Sequence, residues 1–124
     1  MKQPVRISEA EWELMKLLWL ESPQTAQELA AKVASVWAES TVKTLLNRLV
    51  QKKALSYEAA GKAFRYSPAI TQDECRAAES VSFLNRVFDG SLSPMLAHFV
   101  ESSQLSDAEL AELERLVRRK RKKP

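Results

Sequence analysis

One short stretch near the middle of the chain concentrates side chains that can bind nucleic acids. Its candidate contact residues are Ser40, Thr41, Lys43, Thr44, Asn47 and Arg48. Lys and Arg can donate to the O6 and N7 atoms of guanine, Asn and Gln can pair with adenine, and Thr can contact a phosphate or the methyl group of thymine. The chemistry predicted for this stretch is therefore recognition of the DNA major groove.

These candidates occupy one side of a helix that is predicted to run from about Glu39 to Lys53. At 100° per residue, the apolar side chains that fall within about 100° of one another are Val42, Leu45, Leu46 and Leu49. The opposite side, which Gln51 extends, is expected to contain cations, hydroxyls and amides and no carboxylate. Because a solvated helix face usually mixes both charges, a DNA-reading face is favoured over the alternative, an ordinary basic helix surface.

A β-hairpin is predicted directly after this helix. The period of the apolar residues changes there to two, on either side of a turn over Ala59–Lys62, at Leu55, Tyr57, Phe64 and Tyr66. Pro68 is expected to close the second strand because proline cannot donate to a β-ladder. Lys62 and Arg65 then lie at the tip and on the outer side of the hairpin, where they are candidate contacts to phosphates or a minor groove. The alternative for Lys62 is an ordinary exposed turn lysine.

The starts of four helices are marked by a capping box, in which a Ser or Thr is followed three residues later by Glu. The pairs are Ser8 with Glu11, Thr25 with Glu28, Thr71 with Glu74, and Ser106 with Glu109. Three helices followed by a hairpin is the order of a winged helix-turn-helix. We therefore predict a mainly α protein with a small β-hairpin, in which a winged helix-turn-helix domain over residues 1–70 precedes a helical dimerisation domain over residues 71–124.

Three amphipathic helices are predicted in residues 71–124. Their apolar stripes supply the candidate dimerisation contacts, which are Val81, Leu84, Phe88, Leu96, Phe99, Leu110, Leu113 and Val117. Three such stripes are too few to cover one another within one chain, so a second copy is expected to cover them. The basic run Arg118–Lys123 is expected to be frayed and solvated, and it can add sequence-independent attraction to DNA.

Composition argues against an enzyme, a metalloprotein and a membrane protein. The 124 residues and the net charge of +3 suit a modest protein that is permitted, but not required, to bind DNA. One cysteine, Cys75, and one histidine, His98, cannot form a disulfide or a Cys/His zinc site in one chain. No catalytic constellation is present, and no apolar run approaches the roughly 18 residues of a membrane span. We expect a cytoplasmic protein without metal or cofactor.

Ordered stretches across nearly the whole chain resemble the penicillinase-repressor (BlaI/MecI/CopY) family. They are residues 7–15, ISEAEWELM; 41–49, TVKTLLNRL; 61–66, GKAFRY; 88–92, FDGSL; and the region from Leu105 to Leu113. The resemblance implies a winged-helix N-terminal domain, a helical C-terminal dimerisation domain, and repression through an inverted repeat that often contains TACA and TGTA elements. The family's recognition-helix motif falls on Thr41, Lys43, Thr44, Asn47 and Arg48.

Two departures from the family pattern bear on induction. Copper-responsive members contain paired Cys-x-Cys motifs near the C-terminus, and no cysteine follows Cys75 here, so copper sensing by that cluster is excluded. Members that respond to β-lactams are cut at an Asn-Phe bond in the dimerisation domain. The similar place here reads His98-Phe99, which is the candidate proteolytic switch, and the protease or sensor that would act on it is unassigned.

The predicted function is sequence-specific binding of double-stranded DNA by a homodimeric repressor at an inverted-repeat operator. The alternative is a winged-helix module that binds a protein partner and does not read DNA, which salt-insensitive binding to protein alone would reveal. An enzyme ranks third, because no acid and base pair and no activated nucleophile emerges from the sequence.

Overall fold

The computed structural model of the chain describes residues 6–102 and 105–122. Their helices and strands, in chain order, are α1 (Glu9–Leu20), β1 (Gln24–Thr25), α2 (Ala26–Lys32), α3 (Glu39–Gln51), β2 (Leu55–Ala60), β3 (Ala63–Pro68), α4 (Gln72–Phe88), α5 (Leu92–Glu101) and α6 (Asp107–Lys122). They form two compact units, of which the first ends at Ser80 and the second begins at Val81. The boundary therefore falls inside α4 rather than at residue 70.

The first turns of α4 belong to the first unit because apolar contacts hold them there. Cys75 is buried in the core of this unit, and Ile70 packs against the same core. Trp19 Nε1 donates to the carbonyl oxygen of Ile70 at 3.1 Å. The burial of these side chains extends the first unit beyond the end of the hairpin.

The core of the first unit is built on one side of α3. All four residues of the predicted apolar stripe, Val42, Leu45, Leu46 and Leu49, are buried. The neighbouring helices contribute further buried side chains, which are Leu14, Met15 and Leu18 from α1 and Leu29 from α2. Because one side of α3 faces this core, the opposite side faces solvent.

All four predicted capping boxes are present. At the start of α1, the N–H of Glu11 donates to Ser8 Oγ at 3.2 Å, and the N–H of Ser8 donates to Glu11 Oε1 at 2.8 Å. The same reciprocal bonds begin α2, α4 and α6. Helix α3 begins after Ala38 without a side-chain cap. Local sequence is therefore sufficient to set the start of the capped helices.

A three-stranded antiparallel sheet in the order β1-β3-β2 replaces the two-stranded hairpin predicted from the sequence. Tyr66 pairs with Tyr57 on one side and with Gln24 on the other. The hairpin turn consists of Gly61 and Lys62 alone, because Ala60 already pairs with Ala63. Gly61 has a φ of 65°, in the left-handed region that glycine enters at little cost. The predicted turn over Ala59–Lys62 is therefore two residues too long.

The added strand β1 depends on a buried glutamine. Gln24 Nε2 donates to the carbonyl oxygens of Leu17 and Glu21 at 3.1 and 2.6 Å, and Gln24 Oε1 accepts from Lys32 Nζ at 2.6 Å. These bonds satisfy a side chain that is buried. A strand of two residues has no alternation that a sequence pattern would show. With this strand, the element order is that of a winged helix-turn-helix, as predicted.

Helix α3 ends at Gln51, before the predicted end at Lys53. Lys53 adopts a φ of 67°, and the N–H groups of Lys53 and Ala54 donate back to the carbonyl oxygens of Val50 and Leu49. This pattern is a Schellman-type stop, in which a left-handed residue reverses the chain. Glycine usually occupies that position, so the sequence does not mark the stop made by a lysine.

An ion pair with a buried carboxylate and an exposed lysine joins the start of α1 to the end of α3. Glu11 is 1% exposed, and its Oε1 lies 2.5 Å from Lys52 Nζ. Burial by itself would raise the pKa of Glu11, but the hydrogen bond and charge of Lys52 and the bonds from Ser8 hold the pKa below its ordinary value of 4.5. Lys52 Nζ also donates to the carbonyl oxygen of Arg6 at 2.7 Å. The pair therefore fixes the end of α3 while Glu11 is ionised.

The second unit contains the end of α4 together with α5 and α6. None of its described residues is buried, in contrast to the first unit. Helix α6 continues through Lys122, so the prediction of a frayed segment is wrong for Arg118–Lys122, while Lys123 lies outside the described residues. Cations in the last turn stabilise a helix by interacting with its dipole, which accounts for the difference.

We expect Glu11→Gln to lower the free energy of unfolding of the first unit by about 1 to 3 kcal/mol, since Lys52 loses its carboxylate partner but keeps some contact with water. Because the pKa of Glu11 is lowered in the folded state, the contribution of the pair is present above pH 4.5 and is lost as the pH falls through the folded-state pKa. Urea unfolding between about pH 7 and pH 3 measures this loss.

The matched control is Glu13→Gln on the same helix. Glu13 lies 3.0 Å from Lys16 in an exposed pair, and such pairs contribute at most about 1 kcal/mol. On acidification, the free energy of unfolding should fall more steeply for the wild type than for Glu11→Gln. It should fall equally steeply for the wild type and for Glu13→Gln. Identical pH profiles for wild type and Glu11→Gln would contradict the assigned role of the Glu11–Lys52 pair.

Candidate nucleic-acid interface

The outward side of α3 presents the six residues of this helix that are predicted to contact DNA. Ser40, Thr41, Lys43, Thr44, Asn47 and Arg48 are all exposed. The buried stripe behind them holds the helix in place, so their side-chain ends are the parts available to a ligand. Thr44 Oγ1 donates to the carbonyl oxygen of Ser40 at 3.1 Å, which orients that hydroxyl along the helix.

One carboxylate lies beside these residues, contrary to the sequence analysis. Glu39 Oε2 is 3.3 Å from Lys43 Nζ, and both side chains are about half exposed, at 49% and 60%. Glu39 is four residues before Lys43, which puts the two side chains about 40° apart on the same side of the helix, where i,i+4 pairs meet. The expectation of an outward side free of carboxylates is therefore wrong at the first turn of α3.

A depression of about 380 Å³ separates α3 from the hairpin, and we call it the lysine depression. It is lined by Thr25, Ala26, Gln27, Glu39, Lys43, Asn47, Lys62, Ala63, Phe64 and Tyr66. Lys43 from the helix and Lys62 from the hairpin turn thus face the same space. Two cations on opposite walls suit an anionic ligand, although Glu39 shares the charge of Lys43.

A second depression of about 280 Å³ adjoins the first, and we call it the aromatic depression. It is lined by Asn47, Val50, Gln51, Tyr57, Phe64 and Tyr66. None of these lining residues has a carboxylate or a cationic group. Burial raises the pKa of Tyr66 above its ordinary value of 10.0, so its hydroxyl is protonated at neutral pH. Asn47, Phe64 and Tyr66 line both depressions, so they form a shared wall.

Arg65 lines neither depression. Strand alternation places it on the opposite face of β3 from Phe64 and Tyr66, and it pairs with Thr25 across the sheet. The bonds from Thr25 hold the pKa of Glu28 below its ordinary value, and the nearby charge of Arg65 lowers that pKa further. The structure therefore brings Lys62 next to the α3 candidates and places Arg65 beside the start of α2 instead.

The predicted dimerisation residues are partly or fully accessible within one chain. Leu84, Phe88, Leu110 and Leu113 are half-buried, and Val81, Leu96, Phe99 and Val117 are exposed. Within the second unit, α5 and α6 also border an apolar depression of about 450 Å³. Its lining residues are Leu96, Val100, Leu110, Leu113, Glu114, Val117, Arg118 and Arg121. An uncovered apolar surface of this kind is typical of a site that binds another protein surface.

The candidate proteolytic switch lies within a helix. His98 and Phe99 are both exposed, and the bond between them is in the second half of α5.

Burial raises the pKa of the Cys75 thiol to about 11, with smaller contributions from Glu74 and Glu79, so this cysteine is an inert core residue at neutral pH. In residues 6–102 and 105–122, no three His, Cys, Asp or Glu side chains lie where they could hold a metal ion. No helix in the same residues is long and apolar enough to cross a membrane.

Comparison with known proteins identifies the family. The family model described as Penicillinase repressor matches residues 7–119. The penicillinase repressor of Bacillus licheniformis is 37% identical over 119 residues, which cover 94% of this chain and 93% of that protein. The match therefore spans both units.

Solved structures of one repressor are similar to part of the chain. The DNA-binding domain of the repressor BlaI gives a TM-score of 0.53 at 36% identity, covering 60% of this chain and 93% of that one. The monomeric form of Bacillus licheniformis BlaI, solved in complex with the blaP half-operator, gives a TM-score of 0.51 at 34% identity, with the same coverage. Sequence and fold agree with the resemblance seen in the sequence alone, and the chain belongs to the penicillinase repressor family.

Proposed function

We propose that this protein is a transcriptional repressor that binds double-stranded DNA in a sequence-specific manner, as a homodimer, at an inverted-repeat operator. The observation that supports this function most directly is the outward side of α3. Six exposed side chains there offer cations, hydroxyls and an amide, on a helix that four buried aliphatic residues hold in place. A rigid helix with this chemistry fits the width of the DNA major groove.

The relatives support the same function. The B. licheniformis BlaI monomer was solved in complex with a half-operator, and its fold is similar to 60% of this chain. By analogy, α3 enters the major groove, and the hairpin is the wing that reaches the backbone beside it. Membership of a repressor family also favours a regulator over an enzyme.

The second unit is proposed to make the dimer. Its described residues include large exposed apolar side chains on all three helices, such as Val81, Leu96 and Val117, and no buried residue. A unit of this kind gains stability when a second copy covers its apolar surface. A two-fold symmetric dimer then presents two copies of the first unit, which matches an operator made of two inverted half-sites.

The candidate switch for induction lies in the second unit. Cleavage at His98-Phe99 stays a prediction, and the protease or sensor that would perform it is unassigned. Because this bond lies inside α5, a protease would bind it only after local unfolding of the helix. Loss of the second unit's association would then weaken binding to two linked half-sites.

We expect Lys43→Ala, Thr44→Ala and Asn47→Ala each to weaken binding to the preferred site by about 1 to 3 kcal/mol, since each removes a contact to a base edge. Quantitative gel shifts on a duplex selected by the wild-type protein from a random library measure the loss. Lys16→Ala is the control, because Lys16 is an exposed cation on α1. Wild-type affinity in all three α3 variants would refute the recognition assignment.

We expect Lys62→Ala to reduce the salt dependence of duplex binding by about one unit in the slope of log K against log salt, because one phosphate contact is lost. Arg65→Ala should reduce the slope by less, since Arg65 lies near Glu28 and away from the lysine depression. Glu39→Gln should tighten binding to all duplexes, because it removes the negative charge that pairs with Lys43. An unchanged slope in Lys62→Ala and Arg65→Ala would remove the wing from the interface.

We expect a fragment ending at Ser80 to fold as a monomer, and the full chain to be a dimer at micromolar concentration. The cut follows Ser80 rather than Pro68 because Ile70 and Cys75 pack in the core of the first unit. Loss of the linkage between two half-sites should weaken operator binding by about 100-fold. Sedimentation of both proteins, followed by titration on one operator, measures both effects.

The matched variant in the intact chain is Val117→Asp, which places a charge on the exposed apolar surface of α6. It should dissociate the dimer and leave the unfolding transition of the first unit unchanged. A full-length protein that sediments as a monomer, or a fragment that binds the operator as tightly as the intact chain, would contradict the proposed dimer.

A further inference from the structure

We propose that one strand of DNA crosses the lysine depression and the aromatic depression in succession, with a phosphate at Lys62 and the adjoining deoxyribose against Tyr57 and Phe64. This inference rests on the proposed function. It adds to that function a non-ionic contact, made by side chains that neither the base-reading set nor the cationic wing residues include.

The two aromatic rings form an exposed apolar surface beside α3. Tyr57 and Phe64 are 52% and 49% exposed, whereas Tyr66 next to them is buried. The rings of Tyr57 and Phe64 pack edge to face, with centroids 5.0 Å apart and an interplanar angle of 71°. Each ring therefore restricts the other, and the apolar surface is formed before any ligand arrives.

The sequence of the two depressions matches the repeat of a DNA backbone. A DNA strand alternates an anionic phosphate with the apolar face of a sugar. The lysine depression is lined by Lys62 on the hairpin side and by the Lys43–Glu39 pair on the helix side, so Lys62 is the lysine placed to meet a phosphate. The aromatic depression contains no acidic or basic lining residue, and Phe64 belongs to both depressions. A strand that places a phosphate at Lys62 brings the next sugar to the rings.

Other parts of a duplex fit the aromatic depression less well. The faces of the bases are stacked on one another inside the helix, and a base reaches an aromatic ring only when it is flipped out at a cost in free energy. A phosphate would find no cation among Asn47, Val50, Gln51 and the three aromatic residues. The deoxyribose is the apolar group that an intact duplex exposes along its backbone.

The test compares Tyr57→Ala and Phe64→Ala with Lys62→Ala in the full-length protein. Each is titrated on the duplex selected by the wild type and on an unrelated duplex of equal length, over a series of salt concentrations. We expect each aromatic variant to bind both duplexes about tenfold more weakly, which corresponds to about 55 Å² of apolar surface left in water. The salt slope should stay that of the wild type, whereas Lys62→Ala should lower it by about one.

Two matched variants isolate the ring. Tyr57→Phe keeps the ring and removes the hydroxyl, so it should bind as the wild type does. Leu20→Ala removes an apolar side chain that is exposed on α1 and should have no effect. Thermal unfolding shows whether each variant is folded. If Phe64→Ala is not, Tyr57→Ala decides the outcome.

Three results would overturn the sugar contact. Wild-type affinity in both alanine variants would show that the rings do not meet DNA. A loss confined to the selected duplex would show that a ring reads a base, such as a thymine methyl. A reduced salt slope would show that the variants act through a phosphate. If the wild type itself lacked salt-dependent duplex binding, the proposed function would fail, and this inference would fail with it.

Discussion

The burial of four aliphatic side chains on one side of α3 is the constraint on which the rest of the first unit depends. Val42, Leu45, Leu46 and Leu49 pack against α1 and α2, so the helix cannot rotate without exposing them. Removing such side chains from water stabilises the fold by about 1.5 to 3 kcal/mol each. The opposite side of the helix, with its cations, hydroxyls and amide, is thereby held toward solvent by packing on the buried side.

The second wall of the candidate interface is set by the sheet. Tyr66 is buried and pairs with both neighbouring strands, which anchors the base of the hairpin. Alternation along β3 then places Phe64 on the same face as Tyr66 and Arg65 on the other. Of the two cations in and near the turn, only Lys62 lines the space next to α3. Geometry therefore separates side chains that look equivalent in the sequence.

The two units differ in how far their apolar side chains are buried within one chain. The first unit has a buried core, while the described residues of the second unit include none that is buried, although its helices have well-formed apolar stripes. Under the proposed function, the first unit would fold by itself and the second unit would depend on a partner. Any event that disrupts association would then weaken operator binding and leave the first unit folded.

Local patterns in the sequence determined the helices, the buried stripe of α3 and the hairpin, because each rests on interactions between residues a few positions apart. The four capping boxes, from Ser8 with Glu11 to Ser106 with Glu109, join residues three positions apart, and all four form. The exposure of the α3 candidates follows from helical periodicity in the same way.

Features that join distant parts of the chain were decided by the tertiary structure alone. Strand β1 forms because Gln24 meets Tyr66, and the first unit extends into α4 because Trp19 and Cys75 reach its core. The stop at Lys53 depends on a backbone angle that residue type does not specify. The shared wall of the two depressions exists because the sheet places Phe64 across from α3, an arrangement of segments that no short sequence pattern encodes.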